Sequence, residues 1–201
     1  MSQVNIRQLF EDKRLQISLV AGDGGAIIDS EKVHASNNGL VGHLNLMHPN
    51  WVEVLSETEL DYLRNLSAEE CADMFRKIEQ SVAACLIVAG NHDIPAALIA
   101  FAERSHIPLF KSSRPSVHLM WLISHYLDKE LAETATRHGV FLDVLGVGVL
   151  VTGESAVGKS ELGLELITRG NGLVADYIVE LRRIAPDTLE GHCPELLRDF
   201  L

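Results

Sequence analysis

The chain has 201 residues, 47% of them hydrophobic and 22% charged, a composition that reads as a soluble globular protein of one large domain or two small ones. A formal net charge of -11 excludes the basic footprint of a general nucleic-acid binder, so any polyphosphate site must be local. No uninterrupted apolar run approaches the roughly 18 residues of a membrane span, and Met1 to Arg14 lacks the pattern of a signal peptide, so a cytoplasmic protein without a membrane partner is expected.

In chain order, Leu15 to Val20 alternates and ends in Ala21-Gly22-Asp23-Gly24-Gly25, a short strand leaving through a turn. No G-x-G-x-x-G with a helix behind it follows, so this turn is structural rather than a dinucleotide site. Ser56-Glu57-Thr58-Glu59 opens a helix carrying Leu60, Leu63 and Leu66, and Ser67-Ala68-Glu69-Glu70 opens another with Met74, Ile78 and Val82 on a helical period. Cys85 to Gly90 reads as a buried strand, Ile94 to Ser105 as a helix and Leu109-Phe110 as a strand. A long helix begins near Pro115, with Leu119, Leu122, Ile123, Tyr126 and Leu127 at three- and four-residue steps. This alternation predicts an α/β domain on a largely parallel sheet over roughly residues 1–130.

His118 and His125 could share a helix face, but no third ligand stands at suitable spacing, and they read as surface or packing residues. Trp51 and Trp121 read as core or interface. Cys71, Cys85 and Cys193 lack C-x-x-C spacing and suggest neither a disulfide framework nor a zinc site.

Thr134 to Arg137 is expected to close the long helix, with His138-Gly139 just beyond it and Val140 to Leu145 as the next strand. A turn through Gly146-Val147-Gly148 leads into the apolar Val149-Leu150-Val151-Thr152. There follows Gly153-Glu154-Ser155-Ala156-Val157-Gly158-Lys159-Ser160, which fits G-x-x-x-x-G-K-[ST] at every fixed position between an apolar strand and a helix. Gly153 and Gly158 permit the turn, so that successive N–H groups can form an anion nest at a helix N-terminus. Lys159 would reach the β and γ phosphates, and the Ser160 hydroxyl would be a magnesium ligand.

Leu162, Leu164, Leu166 and Ile167 supply apolar side chains to the loop's helix, Arg169-Gly170 stops it, and Leu173-Val174-Ala175 reads as a strand ending in Asp176. An acid at the tip of such a strand is a candidate second magnesium contact. Arg182, Arg183, Asp187 and Glu190 read as solvated charges, and Pro194 to Leu201 as a helix. Residues 131–201 are therefore expected to form an incomplete P-loop α/β domain of about three strands and two helices.

The segment HGVFLDVLGVGVLVTGESAVGKSELGLELITRGNGLVAD, His138 to Asp176, with IVELRRIAPDTLEGHCPELL after it, closely resembles the HPr kinase/phosphorylase family. The likeness reaches back more weakly to His48-Pro49-Asn50 and the Cys85 to Gly90 strand. The resemblance implies a bifunctional transferase regulating carbohydrate metabolism through the phosphotransferase system. One reaction transfers a phosphoryl group from ATP to a serine of the phosphocarrier HPr; the other removes it with inorganic phosphate, releasing pyrophosphate. It also implies ATP and Mg2+ at the Gly153–Ser160 loop, Lys159 on the phosphates, His138 as the catalytic-site histidine, HPr as partner and a homo-hexamer.

The family pattern has two aspartates after the apolar strand, the second acting as general base in the kinase direction and as acid in the reverse. Here Asp176 is followed by Tyr177, and a neutral phenol is a poor proton acceptor. If the strand continues, Asp176 points to the opposite face. The family also continues beyond this point with a magnesium-binding glutamate, a glycine-containing signature, further strands and C-terminal helices. The sequence thus reads as a C-terminally truncated member, with an inactive pseudoenzyme that binds nucleotide or assembles through its N-terminal domain as the alternative.

Overall fold

The structure, a computed structural model, describes residues 3–23, 25–185 and 187–200. The sequence expectations that touch Met1, Gly24 and Leu201 lie outside the described residues. The chain divides into two compact units, Met1–Leu131 and Ala132–Leu201.

The first unit comprises β1 (Gln3–Asn5), α1 (Gln8–Glu11), β2 (Ile17–Ala21), β3 (Ile27–Asp29), α2 (Ser30–Ala35), β4 (Gly39–His43), β5 (Asn50–Leu55), α3 (Glu57–Asn65), α4 (Ala68–Glu79), β6 (Cys85–Val88), α5 (Ala96–Ser105), β7 (Leu109–Ser112) and α6 (Ser116–Glu130). Strands β4, β5, β6 and β7 run parallel in that order and β2 closes the β7 edge antiparallel, while β1 and β3 form a separate pair. The expected α/β architecture with a largely parallel sheet is present.

Its cause is visible in β5 and β6, which are buried at every residue and, Asn50 and Glu53 apart, are apolar on both faces. On one face Val52, Val54, Cys85, Ile87 and Phe110 pack with Leu119, Ile123 and Leu127 of α6. On the other, Leu55, Leu86, Val88 and Leu109 pack with Leu60 of α3, Phe75 of α4 and Phe101 of α5. The rings of Phe75 and Phe101 stack with centroids 4.5 Å apart. Helices α3 and α4 start where the sequence places them because Ser56 with Glu59 and Ser67 with Glu70 form capping boxes. Trp51 lies in this core, whereas Trp121 is exposed.

Strands β4 and β5 were not legible in the sequence. Glu53, 1% exposed, sits in the fully buried β5, where its Oε1 accepts the Asn50 N–H at 2.7 Å and its Oε2 accepts Asn50 Nδ2–H at 3.1 Å. Asn50 Nδ2 also donates to the His43 carbonyl at 3.2 Å. Burial pushes the Glu53 carboxyl above the usual carboxylate range, and the Asn50 donors pull against it. Asn50 fills the space beside β4: a Cβ on Gly39 would lie 2.1 Å from its Oδ1, and one on Gly42 2.7 Å from its amide.

The second unit comprises β8 (Thr134–His138), β9 (Val140–Val144), β10 (Val147–Val151), α7 (Lys159–Thr168), β11 (Gly172–Ala175), β12 (Ile178–Ala185), β13 (Thr188–His192) and a 3-10 helix (Glu195–Phe200). Two antiparallel three-stranded sheets result, β10-β9-β11 and β13-β12-β8. Ala175, Val179 and Cys193 form its buried cluster, with Phe141, Leu150 and Leu181 packed on it.

Four expectations are corrected here. Thr134 to Arg137 does not close the long helix: α6 ends at Glu130, and the β-branched Thr134 and Thr136 extend into β8 against β12. The turn predicted through Gly146-Val147-Gly148 falls at Leu145-Gly146, where φ is 55° and 83°, and Val147 and Gly148 already pair with Val144 and Asp143. The described residues of this unit hold six strands and one α-helix rather than about three strands and two helices. The terminal helix is of the 3-10 type over Glu195–Phe200. The charges read as solvated lie on the β12–β13 hairpin or its connection, and Arg182 is only 25% exposed beside Glu180 at 3.4 Å.

Two outcomes are expected for the first unit. Gly39→Ala should cost about 1–3 kcal/mol in urea unfolding because Asn50 is pinned by Glu53, and the double variant with Asn50→Ala should lose less than the sum of the two single losses. Because its native carboxyl is raised, Glu53 makes the folded state bind more protons than the unfolded state just above the ordinary carboxylate range. Stability should therefore fall as pH rises through that window, and Glu53→Gln should flatten the fall.

Candidate functional site

Strand β10 delivers the chain to the loop, and α7 receives it. Ala156 and Gly158 adopt left-handed backbone, with φ of 64° and 92°, which turns the loop back toward the helix start. Among the described residues, the backbone N–H groups from Glu154 to Ser160 donate to no protein acceptor. With the N-terminus of the ten-residue α7, they present a surface of partial positive charge suited to an anion. Lys159 is half-buried, and its Nζ donates to the Gly153 carbonyl at 3.0 Å and the Glu154 carbonyl at 2.6 Å. Its ammonium is thus held against the loop's first residues.

The opposite wall comes from the other sheet. His138 ends β8 in register with Ile178, the first residue of β12. Gly139 N–H donates to the Tyr177 carbonyl at 3.2 Å. Glycine is required here because a Cβ would stand 2.4 Å from the Val151 carbonyl oxygen. Strand β11 stops at Ala175, and a tight turn follows: Tyr177 N–H donates to Asp176 Oδ1 at 2.8 Å, Ile178 N–H donates to the Asp176 carbonyl at 2.9 Å, and Tyr177 has φ 73°. The Tyr177 and His138 rings then meet edge to face, with centroids 5.4 Å apart at 69°.

These walls enclose a cavity of about 510 Å³ whose lining includes His138, Lys159, Ser160, Asp176 and Tyr177 as well as Gly153, Ser155, Ala156 and Gly158 of the loop. Glu154 and Val157 belong to the loop but do not line the cavity. The condition under which Asp176 and Tyr177 would face opposite ways, a strand continuing through them, is not met, because β11 ends at Ala175. Both line one cavity, since the strand ends before them.

The sequence reading missed Gly139, Val140 and Glu161 in the lining. The signal for Glu161 was its place directly after Lys159-Ser160, in the first turn of α7. The donor set fits magnesium, which takes one or two protein oxygens and leaves its other positions to water and phosphate. Ser160 and Asp176 offer a hydroxyl and a carboxylate in the same cavity. In the first unit, His118 and His125 flank Trp121 at ring-centroid distances of 6.4 and 5.8 Å. No group of three or more His, Cys, Asp or Glu among the described residues is arranged to hold a metal ion.

A mixed α/β chain with a parallel-sheet unit, followed by a unit carrying a G-x-x-x-x-G-K-S turn between strand and helix, defines the class: an α/β protein with the sequence motif of a phosphate-binding loop. The chain matches the family description "HPr Serine kinase N terminus" over residues 4–127 and "HPr Serine kinase C-terminal domain" over residues 129–201. It belongs to the HPr kinase/phosphorylase family.

The HPr kinase/phosphorylase of Nitrosomonas europaea is 49% identical over 205 residues, covering 100% of this chain and 64% of its own length. That of an Azoarcus species is 43% identical over 203 residues, covering 100% and 65%. The chain therefore spans just under two thirds of the length of these relatives. The solved Hpr(Ser) kinase/phosphatase from Coxiella burnetii overlaps 31% of this chain and 41% of its own at 45% identity, with a TM-score of 0.29 that adds nothing to the fold. No helix among the described residues is long and apolar enough to cross a membrane.

Removing the loop cation should be felt directly. Lys159→Ala is expected to weaken ATP affinity by about tenfold or more, the loss of a charge-assisted contact, as read by calorimetric titration. Unchanged affinity would show that the loop is not the binding element.

Proposed function

We propose that the cavity is the phosphoryl-transfer site of an HPr kinase/phosphorylase, working on ATP and a serine of HPr in one direction and on phosphoserine and inorganic phosphate in the other. One observation carries the reading. The uncommitted N–H groups from Glu154 to Ser160 belong to a loop that walls the same cavity as His138, Asp176 and Tyr177. Supporting it, the matching family description carries the words HPr serine kinase, and the names of the relatives state the activity of those proteins.

The loop would cradle the phosphates, with Lys159 leaving the Gly153 and Glu154 carbonyls to reach them. Ser160 and Asp176 would hold magnesium, which when bound neutralises charge on the phosphate oxygens. A group must also take the proton of the attacking serine hydroxyl. By the resemblance, Tyr177 stands at the position of the family's second aspartate, and a phenol is unsuited to that task. In this reading Asp176 is given to magnesium and His138 takes that role, since an imidazole nitrogen can accept a proton. Tyr177 would then orient it through the edge contact.

The same imidazolium would return the proton in the phosphorolytic direction. In this reading residues 1–130 form the N-terminal domain and residues 131–201 carry the chemistry. A homo-oligomer and a cytoplasmic location accompany the family assignment.

The test is ATP-dependent phosphorylation of purified HPr. Phosphoserine on HPr is expected, lost in His138→Ala while nucleotide binding is kept, and raised in Tyr177→Asp. Nucleotide binding with no transfer by the wild-type chain or by Tyr177→Asp would reject the transfer reaction and leave a binding role.

A further inference from the structure

We infer that Tyr177 is itself a phosphoryl acceptor, so that the phenol at the wall of the loop cavity is a self-modification site. The inference rests on the nucleotide reading of the loop. Tyr177 is 71% exposed and still lines the cavity shared with Lys159, Ser160 and Asp176. Its backbone is fixed on both sides, by its own N–H to Asp176 Oδ1 at 2.8 Å and by the Gly139 N–H to its carbonyl at 3.2 Å. A short pinned turn, rather than a long loop, therefore carries this residue into the wall of the cavity that the loop also lines. A base stands next to it, since the His138 ring meets the tyrosine ring at 5.4 Å between centroids.

The hydroxyl matches the chemistry of the acceptor already proposed, a serine O–H, and differs in being permanently present. In the step, Tyr177 Oη attacks the γ-phosphorus of a nucleoside triphosphate. The bond from the γ-phosphorus to the β–γ bridging oxygen breaks, the nucleoside diphosphate leaves with that electron pair, and the phenolic proton passes to His138. The product is an aryl phosphate of about -1.5 to -2 charge beside Lys159 and the loop N–H groups. It competes with the next nucleotide for that positive surface, so modification reduces nucleotide affinity.

The experiment uses the 201-residue chain. The purified protein is incubated with ATP and magnesium, and phosphate is located by tandem mass spectrometry. In parallel, nitration of Tyr177 by tetranitromethane is followed with and without a non-hydrolysable ATP analogue, whose binding is measured on the same sample. Phosphate on Tyr177, absent in Lys159→Ala, is expected, together with slower nitration of Tyr177 under the analogue and several-fold weaker nucleotide binding by the phosphorylated protein. Tyr177→Phe, checked for folding by circular dichroism, should acquire no phosphate. Analogue binding without phosphotyrosine at this position, or phosphate only on another residue, overturns the inference and leaves the nucleotide reading standing. Failure to bind the analogue at all overturns both.

Discussion

The candidate site depends on one backbone contact, the hydrogen bond from Gly139 N–H to the Tyr177 carbonyl, which extends the β8–β12 ladder by a step. It ties the end of one strand to the turn after β11. In doing so it sets the His138 ring against Tyr177 and brings Asp176 to the wall facing the loop. Because the contact is made by backbone, it constrains where these side chains stand whatever their identity. Gly139 also lies too close to the Val151 carbonyl for a side chain, so the β8–β9 connection remains tight against the strand that feeds the loop.

The loop contributes a different kind of order. Its positive potential comes from N–H groups that the fold leaves without acceptors, and from a lysine that folds back on the loop's own carbonyls. Such a site binds through preorganised dipoles and needs no general basic surface, consistent with a chain of net charge -11. The first unit is governed by a separate constraint, the buried Asn50–Glu53 pair. It satisfies a carboxylate inside the central sheet and fits into space left by Gly39 and Gly42.

Much of this was legible wherever local chemistry decides the outcome. The loop follows from fixed spacing, α3 and α4 from capping boxes, and β6 from an apolar run buried on both faces. What escaped was decided by tertiary partners. β5 carries Glu53, a residue depleted in strands, and the hydrogen bonds from Asn50 and the Asn45 backbone make it tolerable there. β8 follows α6 so closely that its residues were read as the helix end, and β12 hides its strand character behind the Arg182-Arg183 pair. The facing of Asp176 and Tyr177 could not be obtained by strand alternation, because alternation applies only while a strand lasts and β11 ends one residue earlier.

The central claim is that loop, histidine, aspartate and tyrosine form one polyphosphate site. It is tested most directly by backbone amide chemical-shift mapping of the chain with a non-hydrolysable ATP analogue and magnesium. The account predicts that the largest shifts fall together on Gly153 to Ser160, His138-Gly139 and Asp176-Tyr177. Shifts confined to the loop, or centred in the first unit, would contradict it.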